Sequence, residues 1–174
     1  TGTWMIQKRI QEAEAWEQAG IPARAEKKFF QAVRIYDSFL LSPVRFGKAA
    51  SMIIRALARF ALTFNRKNGH FSQAVRVHLA SDPHDEALAA LWLKQLGGED
   101  KNVTPKDQAL LTGLARNHCD HPQLLPLLAR IFLDSRRMDF TARQIYARVM
   151  EDPELKSRFQ TDIEALMDIE TLMT

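Results

Sequence analysis

Residues 16–32 read WEQAGIPARAEKKFFQA, and residues 65–81 read NRKNGHFSQAVRVHLAS. Trp16, Gly20, Ala25, Phe29 and Ala32 in the first stretch have the same spacing as Asn65, Gly69, Ala74, His78 and Ser81 in the second. A weaker third copy runs through Ala142, Tyr146 and Val149 to Pro153. A small residue, a larger one four places on and a short one three further share one face of an α-helix. The small residue lets a neighbouring helix approach, and the larger side chain fills the space beyond it. A glycine upstream suits the end of the preceding helix. Each copy therefore predicts a helical hairpin.

Outward from these stretches the apolar spacing stays at three and four. Leu88, Leu91, Trp92 and Leu96 follow it, as do Leu110, Leu111 and Leu114. No segment alternates as a strand would. Ser42-Pro43, Thr104-Pro105 and Asp152-Pro153 each read as an N-cap followed by proline at the first helical position. Thr104 with Asp107 reads as a capping box, and Gly20, Gly69 and Gly97-Gly98 read as stops. These signals predict an all-α chain with helices over 4–19, 23–41, 44–67, 70–81, 84–97, 104–118, 122–135, 139–151 and 154–172. Pro126 makes the seventh either start later or kink. The polar run 98–103 is a candidate break between lobes of one domain spanning 1–174.

The repeated pattern resembles the tetratricopeptide repeat (TPR), whose units recur at about 34 residues. Ala74 to Ala142 is 68 residues, or two units, whereas Ala25 to Ala74 is 49 because the helix at 44–67 is long. Related helical-hairpin repeats and an ordinary helical bundle are the alternatives. The resemblance implies antiparallel hairpins stacked as a right-handed superhelix, acting as a non-catalytic scaffold or adaptor for other proteins. The last helix carries Ile163, Leu166, Met167 and Met173 on one side. It reads as the lid that a repeat stack needs on its last apolar face.

Charge is uneven along the chain. Residues 1–80 carry 13 Lys/Arg and 5 Asp/Glu, residues 81–150 nine of each, and residues 151–174 two and seven. Arg45, Lys48, Arg55, Arg59 and Arg66 recur at intervals of three, seven, four and seven. At about 100° per residue they form a basic edge on one helix. The resemblance makes this the first helix of the second hairpin, which would line a concave groove. Arg45, Lys48, Arg55, Arg59, Arg66 and Lys67 are thus the candidate partner-binding residues, expected to receive an acidic or extended segment. A solvated face paired with Glu26 or with the acidic last helix is the bland alternative. The cationic clamp that some TPR proteins place around a C-terminal carboxylate is not reproduced, because Ile10 and Glu14 stand at the matching places.

His118-Cys119-Asp120-His121 is a dense run of potential ligands, but zinc usually takes two ligand pairs and no second Cys/His pair follows at finger spacing. A helix end and restart, capped by Asp120 or His121 before Pro122, explains the run without a metal. Cys119 as a nucleophile would need a positioned base. Neither a cofactor nor an enzymatic activity is expected. The lone cysteine fits a reducing, cytoplasmic setting. No apolar run is long enough to span a bilayer, so no membrane contact is expected. The chain starts without methionine and reads as part of a larger protein. Analogy with TPR proteins points to a bacterial signalling or secretion assembly.

Two other readings compete. Lys27, Lys28, Arg34 and the basic edge could hold nucleic acid, RNA above all, with affinity falling steeply in salt. Alternatively, the basic first half and the acidic last helix could pair between copies as a homo-oligomer.

Overall fold

Thr104 caps a helix where the sequence places one. Its hydroxyl accepts from the Asp107 N–H at 3.2 Å, the Asp107 carboxylate accepts from the Thr104 N–H at 3.2 Å, and Pro105 opens the helix. The capping box satisfies donors that the first helical turn leaves unpaired. Asp152 does the same work ahead of Pro153, accepting from Glu154 N at 2.9 Å and Leu155 N at 3.3 Å. Both prolines sit where a missing N–H removes no helical hydrogen bond.

The computed structural model describes residues 2–40, 50–64, 75–76, 78–80, 82–98 and 103–173, and these residues are all-helical with turns between. The helices are α1 (Gly2–Gln18), α2 (Pro22–Leu40), α3 (Ala50–Thr63), α4 (Glu86–Gly98), α5 (Pro105–His118), α6 (Leu124–Asp134), α7 (Phe140–Glu151) and α8 (Pro153–Met173). Residues 75–76 and 78–80 are also helical. Two compact units emerge, Thr1–His78 and Leu79–Thr174. The helices on both sides of the polar run at 98–103 belong to the second unit.

In the first unit α1 and α2 form a hairpin and α3 packs against both. Gly20 ends α1 with φ 76°, its N–H donating to Glu17 O and the Ile21 N–H to Trp16 O, each at 3.0 Å. Ala25, Phe29 and Ala32 of the repeated pattern are buried, as their shared face requires. Phe29 meets Phe60 and Phe64 of the α3 segment at ring-centroid distances of 5.8 Å each. Ile6, Ile10 and Ala13 of α1 and Ile53 and Leu57 of α3 complete this core. The aromatics at helical spacing here are packing residues. Asn65, Gly69, Ala74 and Ser81 of the second copy lie outside the described residues, and His78 is buried.

In the second unit α6 contacts α4, α5, α7 and α8. It is apolar nearly all round, and Leu124, Leu125, Leu128, Ala129, Ile131, Phe132 and Leu133 are buried. Because α6 starts at Leu124, Pro126 falls in the first turn and no kink is needed. Ala142, Tyr146 and Val149 of the third copy are buried on α7. Leu155, Phe159 and Ile163 form the inward stripe of α8 against α6 and α7. Met167, expected on that stripe, is 40% exposed, because Leu166 continues the three-four spacing instead. Among the described residues no helix is long and apolar enough to cross a membrane.

Candidate functional site

The basic edge is only partly within the described residues. Arg45, Lys48, Arg66 and Lys67 lie outside them. Arg55 is exposed on α3. Arg59 reaches across to α1, where Nη1 meets Glu17 Oε1 at 3.1 Å, and its guanidinium lies over the Phe60 ring at 4.3 Å. Glu17 is 42 residues away and belongs to neither group of acids expected from the sequence. Other cations of this unit are also paired. Lys28 Nζ meets Glu12 Oε2 at 2.7 Å and Arg9 Nη1 meets it at 3.2 Å. The Lys28 hydrogen bond holds the Glu12 carboxyl below its usual pKa, against burial, with help from Arg9.

A cleft of about 220 Å³ opens between α1 and α3. Ile10, Ile53 and Ala56 line it with apolar surface, and Gln7, Gln11 and Glu14 supply polar groups from α1. Met52, 59% exposed, also lines it. These residues follow from helical spacing: 7, 10, 11 and 14 share one face of α1, and 52, 53 and 56 share one face of α3. Neither Arg55 nor Arg59 lines the cleft. The Glu17–Arg59 pair falls one turn beyond Glu14 and Ala56 on the same two helices. The 7-10-11-14 stripe is a sequence signal for this cleft, but only the pairing of α1 with α3 makes it concave.

The second unit holds two neighbouring arginines that sequence reading passed over. Arg137 is largely buried and joins three helices. Nε and Nη2 grip Asp139 at 3.0 and 2.6 Å, Nη1 donates to Gln108 Oε1 at 3.0 Å, and Nη2 donates to Thr112 Oγ1 at 2.8 Å. The guanidinium stacks on Phe132 at 4.4 Å, and the Tyr146 hydroxyl donates to the Arg137 carbonyl at 2.7 Å. Arg137 holds the Asp139 carboxyl below its usual pKa, and burial pushes the Tyr146 phenol up. Arg136, by contrast, is exposed and has φ 54°. It lines a pocket of about 230 Å³ between α6 and α8.

The His118–His121 run serves as a helix junction. His121 Nδ1 accepts from Gln123 N and Leu124 N, both at 3.2 Å. Since those N–H groups can only donate, Nδ1 carries no proton there, and Nε2–H donates to Glu86 at 2.9 Å. His118 is buried and pairs through Nε2 with the Pro83 carbonyl. Asp120 meets Arg148 at 3.2 Å, and the Cys119 thiol donates to Asp120 at 3.8 Å. The two histidines and Asp120 thus turn to partners outside the run, and Cys119 pairs with Asp120 inside it. The chain matches no protein-family model, no curated protein and no solved structure.

Proposed function

We propose that this chain is a non-catalytic helical interaction module whose first unit takes a partner segment in the cleft between α1 and α3. The cleft itself carries the reading. It combines an apolar lining, an exposed methionine and two glutamine amides one turn apart, which suits an apolar side chain together with the peptide groups beside it. It is formed by α1 and α3, the first helices of successive hairpins in the TPR-like arrangement. A right-handed TPR-like superhelix, a basic groove and an acidic partner remain parts of the same proposal. The pairing of Arg59 with Glu17 and of Lys28 with Glu12 favours a protein partner over nucleic acid, since those cations are already matched.

The test is capture of partners from the native lysate, with and without nuclease, by the wild type, Met52→Glu, Ala56→Arg and Arg59→Glu/Arg66→Glu. A protein partner that survives nuclease and binds at least tenfold more weakly to Met52→Glu and Ala56→Arg is the expected result. Retention by both cleft variants rejects the cleft. Loss of all binding on nuclease treatment puts nucleic acid in its place.

A further inference from the structure

The end of α6 uses a residue that its backbone does not favour. Arg136 occupies the left-handed region at the position following the helix where glycine or asparagine is usual. A non-glycine residue in this conformation is a ground for asking what its side chain does. The Arg136 side chain has no hydrogen-bond or ion-pair partner among the described residues, whereas the side chains of Arg137 and Arg130 are matched. Arg137 holds Asp139, and Arg130 holds both Asp134 at 2.9 Å and Asp162 at 3.0 Å. Burial opposes the charge on Arg130, yet its two carboxylate partners outweigh that and raise its pKa. Asp162 lines the same pocket as Arg136, but its charge is answered by Arg130.

Arg130 also lines the pocket, and the remaining wall is aliphatic, formed by Leu133, Ala165, Leu166 and Ile169. Ile169 stands 46% exposed. At about 230 Å³ the space falls below the roughly 300–1,000 Å³ of cavities that engulf small molecules. It suits one inserted side chain of a larger partner. We infer that this pocket docks a protein segment presenting an aliphatic side chain beside a carboxylate, with Arg136 receiving the carboxylate and the α6–α8 wall receiving the aliphatic group. This site lies within the second unit and does not depend on the α1–α3 cleft.

The probe is the capped tripeptide acetyl-Leu-Ala-Glu-amide, whose first and third side chains fall on one side when extended. It is titrated into the isotopically labelled full chain and followed by NMR. Shifts are expected at the backbone amides of Leu133, Ala165 and Leu166. Replacing the peptide's Glu by Gln, or its Leu by Ser, is expected to weaken binding at least fivefold. Arg136→Gly and Arg136→Asn, which tolerate the left-handed backbone, are expected to weaken it equally while the melting temperature does not fall. Met52→Glu leaves this binding unchanged, which separates it from the cleft. Equal binding of the Gln peptide, or unchanged binding by both Arg136 variants, overturns the inference. So does tighter binding of hexanoate than of the peptide, which would assign the pocket to a free aliphatic acid.

Discussion

Helices α1 and α6 end in the same hydrogen-bond pattern, but with different residues at the turning point. Gly20 donates to Glu17 O and Ile21 to Trp16 O, and in the same register Arg136 donates to Leu133 O and Arg137 to Phe132 O, all at 3.0 Å. The turning residue has φ 76° in the first and 54° in the second. Gly20 meets the geometry through its own backbone freedom. Arg136 lacks that freedom and is held there by the residue after it, because Arg137 is fastened to Asp139, Gln108, Thr112 and Phe132. The first end is set locally, and the second is imposed by tertiary contacts.

Removing the imposed constraint should have the largest effect. Arg137→Ala is expected to lose about 2–4 kcal/mol in urea unfolding, since hydrogen bonds to charged groups each contribute about 1.5–3 kcal/mol and overlap here. The loss should depend on pH. The Asp139 pKa is lowered from its ordinary 3.8 by Arg137, so the wild type gains stability from this pair above 3.8 and loses it as pH falls through the depressed value. The gap between wild type and variant should therefore be full at neutral pH and narrow as the pH is lowered below 3.8. A gap of constant size would mean that the stack on Phe132 and the neutral hydrogen bonds, not the ion pair, fasten α6 to α7.

Exchanging the turning residues should give smaller effects of opposite sign. A Cβ at Gly20 would meet nothing within 4 Å, so Gly20→Ala tests backbone conformation alone. It is expected to cost about 1–2 kcal/mol. Arg136→Gly relieves the same conformation but frees the unfolded chain, for a net gain of up to about 1 kcal/mol. Thermal unfolding of the two variants decides this. A clear destabilisation by Arg136→Gly would show that the Arg136 side chain contributes more to the fold than its exposed position suggests.

What could be read from sequence follows the same division. The capping box at Thr104, the stop at Gly20, the starts at Pro105 and Pro153 and the buried faces of Ala25/Phe29/Ala32 and Ala142/Tyr146/Val149 all rest on neighbours within a few residues. Helical periodicity carries such information. The roles of Arg136 and Arg137 could not be read that way. Arg137 draws on Gln108 and Thr112, 29 and 25 residues away, and no local pattern joins them. The α1–α3 cleft is intermediate. Its helix faces obey helical spacing, but their convergence depends on tertiary packing. Of the basic edge only Arg55 and Arg59 lie in the described residues, and the partner of Arg59 was not legible, because Glu17 lies on the other side of a hairpin.

The Glu17–Arg59 pair should show the smallest effect, and it bears most directly on function. Both side chains are 36% exposed, so solvent screens the attraction in a way it does not for Arg137, whose side chain is only 15% exposed. A double-mutant cycle with Glu17→Gln and Arg59→Met should give a coupling of about 0.2–1 kcal/mol. It should fade near 1 M salt, where the Debye length is about 3 Å. Arg59→Met alone should cost little, since its aliphatic stem can still cover Phe60. A coupling above about 2 kcal/mol would make the pair a structural tie between α1 and α3, closing the cleft one turn beyond Glu14. A weak coupling leaves exchange of partners cheap. An acidic group on a docked segment could then replace Glu17 on Arg59 for little more than the loss of one screened ion pair, and Arg59 would join the cleft's recognition surface without lining its floor.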